Sequence, residues 1–124
     1  MDGAENFPAF QSVNFLLTST LIEVNMTEDY GITHVRMNLL RTRIEWVRAL
    51  PRNGEQFGSA VSFTKQEVIN RMDGNFTFCT LTSNGYGGWK YGARVRKFRT
   101  ANGTFLRTDA NNTEKDNLDN LPEF

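Results

Sequence analysis

The sequence predicts a single α+β domain with antiparallel β-sheets, one main helix at about residues 64–73 and a short C-terminal helix. Three observations support this fold class: β-rich runs separated by turn residues, one stretch with helix start and stop residues, and a length of 124 residues that suits one core. The hydrophobic fraction of 39% is that of a globular chain. We expect residues 1–11 to form a flexible arm and residues 12–124 to form a single ligand-binding domain.

The first two strands are predicted at Leu21–Met26 and Ile32–Leu40. A short polar turn that ends in glycine separates them, which is typical of a β-hairpin. Because alternate residues of a strand point to the same face, we expect Ile32, His34 and Arg36 to share one face of the second strand.

Further strands are predicted in the middle and in the last third of the chain. Alternation over Arg43–Leu50 favours a strand that ends at Pro51, although a short helix explains the pattern nearly as well. Asn75–Leu81 is apolar on both faces, which is typical of a central strand. Tyr91–Thr100 and Thr104–Thr108 flank an Asn-Gly turn and are predicted to pair as a second hairpin.

The main helix is predicted from the residues at its two ends. Thr64 is a good N-cap, and Glu67 stands three residues later, as in a capping box. Phe63 and Val68 have the spacing of a hydrophobic staple. Gly74 is expected to end the helix in the left-handed conformation.

The C-terminal segment has the spacing of a short helical turn. Thr113 is followed three residues later by Asp116, and Leu118 and Leu121 are again three residues apart. This spacing predicts a turn of helix that Thr113 caps and that stops near Pro122.

Charge and cysteine content narrow the class of protein. The net charge is zero, whereas the segment Gly74–Arg107 contains six basic residues and no acidic residue. A duplex-binding protein usually has a larger excess of positive charge, so this local patch fits a small anion better, or a solvated surface. Cys79 is the only cysteine, which excludes an intramolecular disulfide.

The same composition predicts where the protein lies in the cell. No apolar run approaches the ~18 residues of a membrane span, and the amino terminus is acidic rather than basic. We therefore expect no membrane partner and a cytoplasmic location.

Catalysis has little support in the sequence. His34 is the only histidine, metal-ligand spacing is absent, and no Ser, His and Asp set can be argued from spacing. We predict no catalytic residue, no metal and no cofactor, and a binding module is the simpler interpretation. A nucleotide-cleaving enzyme remains an alternative.

The glycine-rich loop after the central strand is the first candidate site. It runs from Asn84 to Gly88 and is followed by Trp89 and Tyr91. Glycines let backbone N–H groups approach an anion, and aromatic side chains can stack on a base. An ordinary mobile hairpin loop explains the composition equally well.

The second candidate site is a set of arginines on the C-terminal hairpin. Arg94 and Arg96 are expected on one strand face, with Arg107 on the partner strand, where arginines can bind phosphate. Thr108 and Asp109 add hydroxyl and carboxylate groups, or merely form a turn. The candidate ligand-binding residues are therefore Arg36, Asn84, Gly88, Trp89, Tyr91, Arg94, Arg96, Arg107, Thr108 and Asp109.

Four segments together resemble a family of small bacterial and phage proteins. They are GITHVRMN, FTKQEVINRM, GWKYGARVRKF and the ending FLRTDANNTEKDNLDNLPEF, and they occur in the same order as in that family. The resemblance covers roughly Leu21 to Phe124 and departs in the amino-terminal arm and in Arg41–Pro51. The layout resembles the first type of phage Thoeris anti-defence protein.

This resemblance implies a function by sequestration. Those proteins are sponges that bind glycocyclic ADP-ribose signals from bacterial TIR enzymes without cleaving them, and some members hold cyclic oligonucleotides. They assemble as dimers that can build hexamers. The arginine of the family's LRT-type motif corresponds to Arg107, which the resemblance makes the first candidate for a phosphate contact. The alternative is a nucleic-acid-binding or regulatory module that uses the basic patch from Lys90 to Arg107.

Overall fold

The computed structural model describes residues 26–109, 113–118 and 121–124. Eight strands and one helix follow each other along these residues: β1 Tyr30–Met37, β2 Ile44–Asn53, β3 Gln56–Phe57, β4 Val61–Thr64, α1 Lys65–Asp73, β5 Phe78–Ser83, β6 Trp89–Arg94, β7 Arg96–Thr100 and β8 Gly103–Arg107. The predicted arm at residues 1–11 lies outside the described residues, as does most of the first predicted strand.

The strands form two sheets. The larger sheet has the order β3-β2-β1-β5-β6, with β4 also paired to β2, and the smaller one pairs β7 with β8. All pairings are antiparallel except that of β1 with β5, which is parallel. A parallel pair needs a long connection, and here β2, β3, β4 and α1 supply it. The α+β class is confirmed, while the expectation of purely antiparallel sheets is wrong at this one pairing.

Helix α1 begins as the sequence predicts. The hydroxyl of Thr64 accepts a hydrogen bond from the Glu67 N–H, and the Glu67 carboxylate accepts one from the Thr64 N–H. The prediction for its end is wrong in one detail, because Gly74 has a φ of −87°. Asn75 takes the left-handed conformation instead, with a φ of 73°, which asparagine tolerates better than most residues.

The main core lies between α1 and one face of the large sheet. Val47 and Phe63 from the sheet and Val68 from α1 are buried in the same cluster. In β5, Phe78 belongs to this core, whereas Cys79 belongs to a second cluster on the opposite face. Both faces of β5 are therefore buried, and its predicted central position is confirmed.

Strand β2 resolves the alternative left open for its segment. The segment is a strand rather than a helix, and it continues past Pro51 to Asn53. The proline nitrogen has no hydrogen to donate, but its carbonyl accepts a bond from Gly58 N–H at 2.8 Å. Pro51 therefore stays within the strand instead of ending it.

A β-bulge changes the predicted faces of β1. The register with β2 shifts between Ile32 and His34, so the bulge turns Ile32 to the main core together with Val35. His34 and Arg36 lie on the opposite face, as their spacing predicts. Ile32 does not share that face, which corrects the expectation from simple alternation.

The predicted strand from Tyr91 to Thr100 is two strands in different sheets. Val95 separates them; it is buried, and its N–H donates to the Phe78 carbonyl at 2.9 Å. Arg94 therefore ends β6 in the large sheet, and Arg96 begins β7 in the small one. The expectation that these two arginines share one strand face is wrong.

The predicted C-terminal helix is absent from the described part of the tail. Instead, Asn117 forms a parallel bridge with Arg107, and Glu123 forms one with Val35. The Asp116 carboxylate does not serve a helix start, because it is buried and accepts bonds from backbone N–H groups of β2 and β8. The tail thus fastens the two sheets to each other.

Candidate functional site

A cleft of about 810 Å³ opens between the tail and the end of the β1–β2 hairpin; we call it the tail cleft. Its wall includes the apolar side chains Val35 and Leu121 and the cationic side chains Arg41, Arg107 and Lys115. Ligand pockets typically have volumes of roughly 300–1,000 Å³, with mostly apolar walls and a few placed polar groups. The tail cleft has a volume in this range, and its wall combines apolar side chains with a larger share of polar and charged ones.

Arg107 is the most firmly held cation of the cleft. It is 4% exposed, and its Nε and Nη2 donate to the two carboxylate oxygens of Asp109 at 2.8 and 2.9 Å. Its Nη1 donates to the Lys115 carbonyl at 2.7 Å. The hydrogen bond with Asp109 raises the pKa of Arg107 above its usual value, against the opposing effect of burial. The guanidinium is therefore charged and fixed in place.

The other two cations of the cleft are exposed. Arg41 forms an ion pair with Glu123 across the rim, while the Lys115 side chain is in no salt bridge with a described carboxylate. Asp116 also lines the cleft, but it is paired with Lys65 at 2.8 Å. Of the three cations of the cleft, Lys115 is therefore the one that no described carboxylate pairs.

Three predicted residues join Arg107 at this end of the molecule. Arg96 lies opposite Arg107 in the small sheet, and its Nε donates to the backbone oxygen of Asp109. The N–H of Thr108 donates to the Asn117 carbonyl at 3.0 Å. The structure thus groups Arg96, Arg107, Thr108 and Asp109, mainly through contacts that hold the tail.

Arg94 belongs to a separate cluster around a buried carboxylate. Glu28 is 3% exposed, and one of its oxygens accepts a hydrogen bond from the Tyr91 hydroxyl at 2.7 Å. The same oxygen lies 3.4 Å from Arg94 Nε. Burial, and then the bond to Glu28, raise the pKa of Tyr91 to about 12. Arg94 thus pairs with the Glu28 carboxylate within the fold, and the Tyr91 hydroxyl donates a hydrogen bond to it.

The glycine-rich loop is held by its own side chains. Asn84 Oδ1 accepts hydrogen bonds from the N–H groups of Tyr86 at 2.7 Å and Gly88 at 3.1 Å. These amides are therefore directed at Asn84 rather than outward to a ligand. Trp89, which follows the loop, packs against the second core cluster.

Sequence reasoning missed a patch on the face of the large sheet opposite α1. The arginine–aromatic patch, as we call it, consists of His34, Arg36, Trp46, Arg48 and Phe124. His34 pairs with Arg48, and Arg36 with Trp46, so their side chains share one face. Only Arg36 was a candidate from the sequence, because the others depend on strand pairing and on the path of the tail.

Two classes of site find no support in the part of the chain that the structure describes. Its His, Cys, Asp and Glu side chains form no group that could hold a metal ion. Within the same residues, no helix is long and apolar enough to cross a membrane.

Comparison with known proteins gives one match. No curated protein and no solved structure matches the chain. Residues 21–122 match a family described as "Protein of unknown function (DUF3892)". Because the match spans most of the 124 residues, the chain belongs to the DUF3892 family.

Proposed function

We propose that the protein is a binding module that sequesters a cyclic nucleotide immune signal of the glycocyclic ADP-ribose type in the tail cleft, without cleaving it. One observation carries the proposal: a cleft of about 810 Å³ brings apolar side chains together with Lys115, a cation that no described carboxylate pairs. The resemblance of the ending to anti-defence sponges supports the same ligand class.

The chemistry of the cleft suits a ligand with a purine and a pyrophosphate. The apolar side chains Met37 and Pro122, which are less buried than Val35 and Leu121, offer a surface for the base, and the exposed Lys115 supplies a cation for phosphate. Arg107 is already paired with Asp109, so it adds to the wall a guanidinium whose position needs no rearrangement when the ligand arrives. Asn117 also lines the cleft and offers an amide for ribose hydroxyls.

Sequestration fits the cleft better than hydrolysis. Its carboxylates, Asp116 and Glu123, are each paired with a cation, so neither is poised as a general base. His34 lies on the sheet face opposite α1, within the arginine–aromatic patch rather than in the cleft.

The proposal includes self-association as a dimer or hexamer. Leu39 is 101% exposed and Leu40 is 81% exposed, and they precede Arg41 at the cleft rim. Two adjacent exposed leucines favour a protein contact. A second copy on this loop would help to close the cleft. Light scattering after size-exclusion chromatography will show dimers or larger species, and Leu40→Asp should shift them to monomers.

The ligand test is a retention experiment. The protein is incubated with glycocyclic ADP-ribose, freed of unbound ligand, and heated, and the released material is analysed by mass spectrometry. Intact ligand in the released fraction is expected. A degraded ligand would identify an enzyme instead, and the absence of any retained ligand would refute the proposal.

Variants locate the site. Lys115→Ala should weaken retention about tenfold or more, because it removes a cation worth roughly 1.5–3 kcal/mol in a charged hydrogen bond. Lys90→Ala is the matched control, since Lys90 is exposed on β6 and does not line the cleft. Equal retention by both variants would place the ligand elsewhere. Melting temperatures of both should stay close to that of the unmodified protein.

The alternative, a nucleic-acid-binding or regulatory module that uses the basic patch from Lys90 to Arg107, has weaker support. Three cations of this patch are paired with carboxylates: Arg94 with Glu28, Lys97 with Asp73, and Arg107 with Asp109. Their charges are therefore partly compensated within the protein.

A further inference from the structure

The ring of Phe124 lies under two arginines of the arginine–aromatic patch. The guanidinium carbon of Arg48 is 4.4 Å from the ring centroid, and that of Arg36 is 4.7 Å away. The His34 ring meets Phe124 edge-on, with centroids 6.3 Å apart. This face of the sheet thus already holds one planar aromatic ring against cationic groups.

Backbone bonds, rather than the ring, hold the chain at this place. The N–H of Phe124 donates to the Val35 carbonyl at 3.2 Å, and Val35 N–H donates to the Pro122 carbonyl at 3.0 Å. Arg36 Nε donates to the backbone oxygen of Phe124 at 2.9 Å. The ring can therefore leave the arginines by a side-chain rotation while the tail stays attached to β1.

The charge of the patch is positive. Arg36 is exposed and Arg48 half-exposed, and neither forms a salt bridge with an Asp or Glu side chain that the structure describes. Arg36 keeps its one bond to the Phe124 oxygen, and Arg48 has no such acceptor among the hydrogen bonds of the described residues. Burial and the nearby Arg48 charge lower the pKa of His34, so the two arginines carry the charge near neutral pH. An anionic aromatic ligand complements such a surface, since guanidinium groups both stack and bind phosphate.

The patch offers two stacking positions. Trp46 is 39% exposed and lies directly opposite Arg36, and it points to the same face as Arg48, two residues along β2. Trp46 therefore lies roughly 7 Å along the strand from Arg48, whose guanidinium covers the Phe124 ring. Two nucleobases of one oligonucleotide can therefore occupy the Phe124 position and the Trp46 position, whereas a mononucleotide can occupy only one.

We propose that the arginine–aromatic patch binds single-stranded nucleic acid, with one base displacing the Phe124 ring from Arg36 and Arg48 and a neighbouring base stacking on Trp46. Sequence-independent binding is expected, because every base has a face that can stack and the arginines contact phosphate. This site is separate from the tail cleft, and the inference does not rest on the proposed sponge function.

Binding is measured by fluorescence anisotropy with a labelled single-stranded oligothymidylate. Arg48→Ala should weaken binding about tenfold. It should also reduce the slope of log affinity against log salt concentration by about one, because one phosphate contact is lost. Arg48→Lys keeps the charge but loses the planar group, and it should lose most of the stacking contribution. Arg99→Ala, an exposed arginine on β7, is the matched control and should bind like the unmodified protein.

Variants of Phe124 test the displacement. Phe124→Ala should tighten binding several-fold, because the competing ring is gone while the backbone bonds remain. Phe124→Leu is the matched apolar control and should give a smaller gain. Unchanged or weaker binding by Phe124→Ala would overturn the proposal, as would unchanged binding by both Arg48 variants with melting temperatures intact.

Tryptophan fluorescence reports the second position. The chain has two tryptophans, so Trp89→Phe leaves Trp46 as the only emitter. Oligothymidylate should quench this emission, and thymidine monophosphate should compete far less well than the oligonucleotide. Equal competition by the mononucleotide would overturn the two-base site in favour of a single-nucleotide one.

Discussion

The Cys79 thiol shows how burial of one side chain makes stability depend on pH. It is 0% exposed, and burial followed by the nearby Glu28 charge raises its pKa from 9.0 to about 12. Below about pH 9 the thiol is neutral in both the folded and the unfolded chain. Above that pH only the unfolded chain loses the proton, so this contribution to stability is lost as the pH rises towards 12.

We therefore predict that Cys79→Ala flattens the alkaline part of the stability profile. In the unmodified protein, the free energy of unfolding should fall by up to about 1.4 kcal/mol per pH unit above pH 9 from this one group. Urea denaturation at a series of pH values measures this fall in the free energy of unfolding. Tyr91, which is 37% exposed, gives a smaller decline that starts near pH 10, because solvent screens its interactions. Tyr91→Phe separates the two contributions. Equal slopes with and without the cysteine would contradict the prediction.

Arg107 shows that a sequence can identify a candidate binding residue without showing how the fold uses that residue. Arg107 and Asp109 were both candidates from the sequence, but their pairing was not predicted. The burial of Arg107 was not predicted either, because it depends on Lys115 and Asn117 returning along β8. The sequence named Arg107 as a candidate but could not show that the fold itself uses most of its hydrogen bonds.

At the scale of elements, the parallel contact of β1 with β5 depends on a glycine. A Cβ atom at Gly31 would lie 2.2 Å from Leu81 Cδ1 and 2.6 Å from Leu81 Cγ, and Leu81 is fully buried. Gly31→Ala should therefore destabilise the protein by about 1–3 kcal/mol through overpacking. Gly74→Ala is the matched control, because a Cβ there meets its nearest atom at an ordinary 3.5 Å.

A double-mutant cycle tests the cause of that loss. In the background of Leu81→Ala, the added methyl group finds space, and the penalty of Gly31→Ala should shrink or disappear. Chemical denaturation of the four proteins gives the coupling energy. The same penalty in both backgrounds would show that backbone strain, and not the contact with Leu81, causes the effect.

The sequence predicts an element when the residues that stabilise it are close together in the chain. It does not predict an element whose stabilising partners are distant in the chain. Thr64 and Glu67 lie within one helical turn, so α1 was found with its start. The tail has similar spacing at Thr113 and Asp116, yet it forms no helix where it is described, because Asp116 bonds instead to β2 and β8. A capping pattern predicts a helix only when its acidic residue has no stronger distant partner.

At the scale of the whole molecule, Asp116 joins three elements. Its carboxylate, with a side chain 0% exposed, accepts hydrogen bonds from Ile44 N–H at 2.6 Å, from Leu106 N–H at 2.8 Å and from Lys65 Nζ at 2.8 Å. These bonds link β2, β8 and the start of α1. Two sheets that share no strand pairing are thereby held in one unit.

We predict that Asp116→Ala costs about 3–5 kcal/mol, because it leaves buried N–H groups and the Lys65 ammonium without their partner. Equilibrium urea unfolding measures the loss. Asp116→Asn should lose less, since one acceptor oxygen remains, and Glu55→Ala in the exposed β2–β3 turn should behave like the unmodified protein. A change after Asp116→Ala no larger than that of Glu55→Ala would show that the two sheets are held by other contacts.

The parallel pairing of β1 with β5 also bears on how the chain reaches its native state. Asp29 and Thr77, which bond next to that pairing, are 48 positions apart, and Arg36 and Phe124 are 88 apart. Contacts this distant form only after large loops have closed, and proteins dominated by them fold in milliseconds to seconds rather than microseconds. On the ribosome, the edge of β1 that receives the tail therefore stays unpaired until residues 121–124 have been synthesised.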